Sequence, residues 1–417
     1  MIHFIRAISI KKTLIGVFTL FTFLGVNAKA IEFECDDNVE SRSVIDPDYK
    51  KVEDILYKEV ITYLDGFISM LTEKDDRCDK WAVIDIAGEG YDKNSCLESK
   101  DDIVKVVNQS RIILNNQEKF RSCFDMQKNY NNFTLYTPNK EIQSSSLVSK
   151  YLSRPLLSDY YKNDSIKLNN NIRKEGLKAN KNFLSILKDI DPNPELQKMS
   201  YLGLTDLWSS VGWVPMYAKR ESALNSRFRG VYSYAEVVGP WGLLRVKSIN
   251  QVPFGLELGM TIQPSNTFYP YHFHHAQEIY IDITDKKCID KNAAYAAKWD
   301  IKSNERKPIK NGYQISIPEN KKWRKSFASP KSGEIMYFDR NDIHAFRSVN
   351  KCGKNKQPGL VSIWARTTTR EFDQTTAICQ LKDKDVNSSN KIEPAKPEDA
   401  YYCNVADLHD VHQTEFD

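Results

Sequence analysis

The sequence predicts an α+β protein, a mainly helical first half packed on a second half of short β-strands. Three observations predict it. From Asp46 to about Ser209 apolar residues recur at three- and four-residue steps, whereas from Trp213 onward they fall in short Val-, Ile-, Tyr- and Phe-rich runs broken by Gly and Pro. The third is composition: 417 residues with 41% hydrophobic and 27% charged side chains can build a sizeable core and match neither a disordered nor a fibrous chain.

The helical half rests on Val52, Ile55, Leu56, Val60, Leu64, Phe67, Ile68 and Leu71, one stripe with Pro47 near its start. Further helical stretches run near Ile103 to Phe124, Ile172 to Ile190 and Glu195 to Trp208. This region holds no histidine and no catalytic constellation, so it reads as a layer covering something else. The β half is expected at Gly230 to Val238, Leu243 to Ile249, Gly255 to Gln263, Ala276 to Ile283, Tyr313 to Ile317, Glu334 to Phe338 and Leu360 to Thr367. Several short strands at such spacing suggest a sandwich or barrel. The polar stretch from Lys382 to Lys396 reads as a surface excursion before Tyr401-Tyr402-Cys403 returns to the body.

The formal charge is 59 − 55 = +4. Arg6, Lys11 and Lys12 precede an uncharged run from Thr13 to Val26 and then Ala28-Lys29-Ala30, the layout of a secretory signal with a small-x-small cleavage site. The run is shorter than the ~20 residues a spanning helix needs, so no stable membrane anchor is expected. Removing residues 1–30 removes Arg6, Lys11, Lys12 and Lys29 and no acid, leaving 59 − 4 = 55 basic against 55 acidic residues. A neutral mature chain offers no field for nucleic acid and suits a small zwitterionic substrate. The expected organisation is a signal peptide over 1–30, a helical domain over 31–210, a β-barrel catalytic domain over 211–380 and a C-terminal extension over 381–417 that docks back. Export to the periplasm favours disulfides among Cys35, Cys78, Cys96, Cys123, Cys288, Cys352, Cys379 and Cys403, none of which forms a CxxC pair. Proximity alone suggests Cys78 with Cys96 and Cys379 with Cys403.

The histidines carry the chemistry. His272, His274 and His275 lie within four residues of each other, ahead of Glu278 and Tyr280. Read as one strand, the even-numbered His272, His274, Glu278 and Tyr280 share a face, with Ala276 leaving room between them. Two imidazoles and a carboxylate on one face make a site for a borderline metal, lacking one remote ligand. His344, after the turn-like Asp339-Arg340-Asn341-Asp342, is the candidate. His275 reads as a packing residue facing the helical layer, and His409 and His412 as solvated.

His272-x-His274-x-x-x-Glu278, followed by a Gly333-containing segment ending in His344, resembles the two metal motifs of the cupin superfamily. Asp339 stands where Pro is common there and Asn341 where Gly is common; Asn tolerates the left-handed turn that Gly would provide. With Tyr280 two residues beyond the glutamate, a signal peptide and a long helical N-terminal region, the chain is similar to the cupin dimethylsulfoniopropionate (DMSP) lyases of the large periplasmic type. The resemblance implies a cupin jelly-roll barrel, or double-stranded β-helix. It implies one divalent metal ion on His272, His274, Glu278 and His344, zinc first, with iron, manganese and nickel also able to take such ligands. It further implies β-elimination to dimethyl sulfide and acrylate, with Tyr280 as base. A sulfonium group suits aromatic faces, and from the aromatics of the β region Tyr234 and Tyr271 are the candidate pocket residues. Trp208 and Trp213, at the junction of the two halves, are candidates for a lid. The alternatives are a non-haem iron cupin dioxygenase and a periplasmic binding protein whose metal is structural.

Overall fold

The computed structural model describes residues 30–36, 47–72, 83–85, 90–92, 101–126, 162, 170, 174, 177, 186–187, 190–215, 233–263, 267–274, 276–284, 293–298, 306–309, 312–316, 324–328, 331–338, 343–348, 359–367, 375–381 and 400–407. For 83–85, 90–92, 101, 214–215, 267–268, 270–274, 293–298, 306–309, 312–316, 324–328, 343, 347, 375–381 and 400–407 the backbone alone is described.

The stripe after Pro47 forms α1 (Pro47–Leu71), with Pro in its first turn beside Asp48, where a fixed φ and a negative charge both suit a helix start. Val52, Leu56, Val60, Leu64, Phe67 and Leu71 are buried along it. Then come α2 (Asp101–Asn115) and α3 (Gln117–Phe120). In α4 (Pro194–Met199) the Asn193 side chain caps the helix by accepting from the Glu195 N–H, with Pro in the first turn. The short α5 (Thr205–Ser210) has Leu204 at its cap and takes its cap from another helix: Glu59 Oε2 of α1 accepts from the Leu207 N–H at 2.6 Å. Among the described residues no helix is long and apolar enough to cross a membrane.

The strands form one small and two large sheets. The small sheet joins β1 (Phe33–Cys35), β6 (Val246–Ile249) and β7 (Val252–Pro253). The first large sheet runs in the order β3 (Gly90–Asp92), β2 (Val83–Asp85), β15 (Ile335–Phe338), β10 (Gln277–Asp282), β17 (Leu360–Thr367), β8 (Leu256–Gln263), β5 (Ser233–Val238), β4 (Val214–Pro215). The second runs β12 (Arg306–Ile309), β13 (Gly312–Ser316), β19 (Ala400–Asp407), β18 (Thr375–Leu381), β9 (Thr267–His274), β16 (Ile343–Ser348), β11 (Ala293–Lys298), β14 (Arg324–Ala328). Apart from β2 beside β15, every pair is antiparallel. From β8 to β11, and again from β14 to β18, the chain steps from one large sheet to the other at each connection. This is the crossing pattern of a cupin-type barrel.

Strands β15, β10, β17, β8 and β5 of the first large sheet are buried on both faces, which decides where the site lies. Its outer face carries Leu258, Met260, Ile262, Ile279, Ile281, Val361 and Ile363, in one core with Leu56, Val60, Leu64 and Phe67 of α1. Each such side chain stabilises the fold by about 1.5–3 kcal/mol on burial. Tyr63 of α1 reaches across to donate its hydroxyl to the Gly259 carbonyl at 2.5 Å, and burial pushes this phenol well above its ordinary pKa. Trp208 and Trp213 belong to this same core. Tyr63 meets Trp208 edge-on, Trp208 donates to the Met199 carbonyl, and both indoles are fully buried. They are packing residues, which corrects the expectation of a lid.

The helical half also contributes strands, since β2 and β3 extend the first large sheet. The Cys35–Cys123 disulfide links β1 to the end of the α3 segment. Proximity in sequence did not suggest this pair, because its separation is 88 residues. Cys78 and Cys96 lie outside the described residues, while Cys379 and Cys403 are direct partners in the β18–β19 register.

Candidate functional site

The inner face of the first large sheet is set by register. Gln277–Asp282 alternates strictly, so with Ile279 and Ile281 in the helical core, Glu278 and Tyr280 face the barrel interior. Glu278 stands opposite Phe338 on one side and Arg366 on the other; Tyr280 stands opposite Met336 and Trp364. One strand further, Glu257 pairs with Arg366 and Gly259 with Trp364. Directly opposed residues share a face, so a polar and aromatic row crosses the inner surface.

The second large sheet supplies what meets it. His344 of β16 is fully buried, and its Nε2 lies 2.7 Å from Glu278 Oε2. Phe338 stacks on the imidazole at 4.4 Å between ring centroids, and Phe346 tilts against Tyr280 at 4.4 Å. The Tyr280 hydroxyl donates to Glu278 Oε1 at 3.1 Å, and the Trp364 indole N–H donates to the same oxygen at 2.5 Å. One buried carboxylate thus gathers an imidazole, a phenol and an indole. Around this group Tyr234 of β5 meets Trp364 edge-on at 5.7 Å, and Arg366 lies over the Trp364 ring at 5.6 Å while its Nε bonds Glu257 Oε2 at 2.5 Å.

The expectation of one continuous strand carrying His272, His274, Glu278 and Tyr280 is corrected. β9 ends at His274 in the second large sheet and β10 begins at Gln277 in the first, so the histidines and the Glu-Tyr pair come from opposite sheets. Of the histidines whose side chains are described, His344 of the second sheet meets Glu278 across the interior instead of along a strand. His272 is the direct β9 partner of His344. The register slips by one residue between His344/His272 and Phe346/Tyr269, so β9 carries an extra residue around Pro270 and Tyr271. Proline has no N–H for a ladder, and a bulge is where a central strand tolerates it. Of His272, His274 and Tyr271 the backbone alone is described, and His275, Asp339, Asn341, His409 and His412 lie outside the described residues. Gly333 has a φ of 83°, a left-handed turn leading into β15, and donates its N–H to the Asp282 carbonyl.

Among the described side chains no three His, Cys, Asp or Glu groups form a metal cluster. The described pair, Glu278 with His344, has the oxygen and nitrogen donors that divalent cations of the zinc type accept, and the β9 register places the His272 backbone opposite that of His344. The residues present therefore fit such an ion. Sequence reasoning placed Trp364 only in the general aromatic pool and passed over Arg366 and Glu257. The signal was the alternation Ser362-Ile363-Trp364-Ala365-Arg366, whose polar side reads as solvent-facing until the second sheet covers it.

A cupin-type barrel holding a carboxylate, an imidazole and a phenol in its interior is the class of protein that fold and site define. Residues 185–306 match the family model described as Dimethlysulfonioproprionate lyase. The chain is 27% identical over 401 residues to dimethylsulfoniopropionate lyase DddY of Shewanella woodyi, covering 92% of this chain and 93% of that protein. By these matches the chain is similar to the DMSP lyases, to one of them over nearly its whole length. Among solved structures, DMSP lyase DddQ from Ruegeria pomeroyi DSS-3 aligns over 41% of this chain and 64% of that one, at 13% identity and a TM-score of 0.25. A structure from the work on DMSP lyases RdDddP and RnDddQII aligns over 48% and 93%, at 12% identity and a TM-score of 0.25.

Proposed function

We propose that the chain is a metal-dependent lyase that cleaves DMSP to dimethyl sulfide and acrylate. The observation that carries this reading is the meeting of the Tyr280 hydroxyl and the His344 imidazole on the two oxygens of Glu278, inside a chain related over nearly its whole length to a DMSP lyase. Glu278, His344, His272 and His274 would hold one divalent ion, zinc first and iron, manganese or nickel by the same donors. Bound there, the ion would supply Lewis acidity to the substrate carboxylate and a positive charge beside Tyr280.

The protein's own part is proton transfer, orientation and exclusion of water. Tyr280 takes the proton from the α-carbon; the C–H electron pair becomes the new double bond, and the C–S pair leaves with sulfur as dimethyl sulfide. A phenol ordinarily titrates near 10, so a base of this kind needs a stabilised anion to act near neutrality. Tyr280 is buried, with Phe338, Phe346 and Trp364 around it, which keeps competing water off its oxygen. Tyr234 and Tyr271 would present aromatic faces to the sulfonium group. Export through residues 1–30 would place the reaction in the periplasm.

The test is headspace measurement of dimethyl sulfide from purified, metal-analysed protein given DMSP. Release is expected to be stoichiometric with acrylate and unchanged when oxygen is removed, because an elimination consumes none. Tyr280→Phe, which keeps the ring among Phe338 and Phe346, is expected to lower kcat by about 10²–10⁴-fold. Absence of dimethyl sulfide, or a phenylalanine variant as active as the parent, would overturn the reading.

A further inference from the structure

We infer that Trp364 is a positioning residue for Glu278, fixing which carboxylate oxygen faces the metal, and this rests on the reading proposed above. The two oxygens of Glu278 have different surroundings. Oε1 accepts from the Trp364 indole at 2.5 Å and from the Tyr280 hydroxyl at 3.1 Å, whereas Oε2 faces His344 Nε2 at 2.7 Å. Oε1 is thereby committed to donors on its own sheet, and Oε2 is the oxygen turned toward the imidazole side. Glu278 would then hold the ion through Oε2.

Trp364 suits this role for reasons visible around it. An indole N–H is a donor only, so it binds a carboxylate oxygen and cannot itself compete for the cation. The ring is held on its other sides: Tyr234 packs edge-on, and the Arg366 guanidinium lies over the face, itself fixed by the 2.5 Å bond to Glu257. Glu278, Arg366 and Glu257 are register partners on three adjacent strands, all buried. A chain of contacts thus runs from Glu257 through Arg366 and Trp364 to the carboxylate. A donor that orients a metal-ligating carboxylate commonly changes metal affinity 10–100-fold when it is removed.

The test measures metal affinity, apart from turnover. Apo-protein is titrated with Zn²⁺ against a chromogenic chelator, and the Co²⁺ form is examined by its d–d absorption. Trp364→Phe keeps a ring beneath Arg366 and removes the N–H. It is expected to weaken Zn²⁺ binding 10–100-fold and to shift the Co²⁺ bands, with kcat falling more than KM rises. Where phenylalanine fails to fold, β-(3-benzothienyl)alanine at position 364 keeps the indole's shape without its N–H and is expected to show the same loss. Affinity within twofold of the parent, with unchanged Co²⁺ bands, overturns the positioning role and leaves the metal reading standing. A parent protein that binds no metal overturns both.

Discussion

At the residue scale, the position that most constrains the site is a glycine without chemistry. Gly259 lies opposite Trp364 in register, and a Cβ built there would sit 1.8 Å from the Ala235 carbonyl oxygen of the next strand. Backbone cannot yield as a flexible side chain can, so β5 would have to move, taking Tyr234 and Glu236 with it. The same residue's carbonyl accepts the Tyr63 hydroxyl, so the displaced strand would also strain the link to α1. Gly259→Ala is expected to destabilise the fold by about 3 kcal/mol or more, in the range of severe core overpacking. Urea denaturation followed by tryptophan fluorescence measures this; a loss under about 1 kcal/mol would mean that β5 and β8 separate more readily than their packing indicates.

At the element scale, strands reveal their existence in sequence better than their sidedness. Each β-run read from Gly230 to Thr367 contains a strand, because Val, Ile and aromatic runs bounded by turns are local signals. The corner between β9 and β10 was hidden because Phe273-His274-His275-Ala276-Gln277 carries no Gly or Pro to mark it. Glu278 and Tyr280 were legible as a pair, since alternation fixes them whichever sheet they join; their approach to His344 depends on how two sheets face one another, which no local pattern encodes. Leu256–Gln263 illustrates the same limit: Glu257, Thr261 and Gln263 alternate with Leu258, Met260 and Ile262 as in a half-exposed strand, yet the polar side is the barrel interior.

The helices give an element-scale prediction with a definite sign. Burial raises the Glu59 carboxyl to about 7 against the downward pull of the Leu207 N–H that it caps. A folded-state value above the ordinary 4.5 means that the fold binds this proton more tightly than the unfolded chain does. Its stabilising effect is full below pH 4.5 and is lost as pH rises through about 7. Glu59→Gln keeps an acceptor for α5 and abolishes the titration. The variant is therefore expected to gain on the parent between pH 5 and 8 by on the order of 1 kcal/mol, a figure discounted for solvent at a half-buried carboxyl. Paired urea melts at the two pH values check it, and a difference that does not change with pH would show that Glu59 is ionised throughout.

At the scale of the whole molecule, the helical and β halves are fastened together. β1 pairs with β6, the Cys35–Cys123 disulfide ties β1 to the helical layer, and Arg245 donates to Asp125 at 2.7 Å with both side chains buried. Asp125 N–H and Arg245 N–H each bond a carbonyl across the same seam, on Leu243 and Cys123. One core continues from Tyr49 of α1 to Ala365 of β17 without a polar boundary. Closing 88 residues of chain with a disulfide is worth about 4–5 kcal/mol through the unfolded state. The Cys35→Ser/Cys123→Ser double variant is accordingly expected to unfold several degrees lower, with two fewer cysteines in the disulfide count of a non-reducing peptide map. Because the core is shared, calorimetry of parent and variant should each show a single transition, in which helical ellipticity and the fluorescence of Trp364 and its neighbours are lost together. A helical signal that melts ahead of the barrel would mean that the two halves hold separate cores. In that case the outer face of the first large sheet, with Ile279 and Ile281 behind Glu278 and Tyr280, would not depend on α1 for its cover.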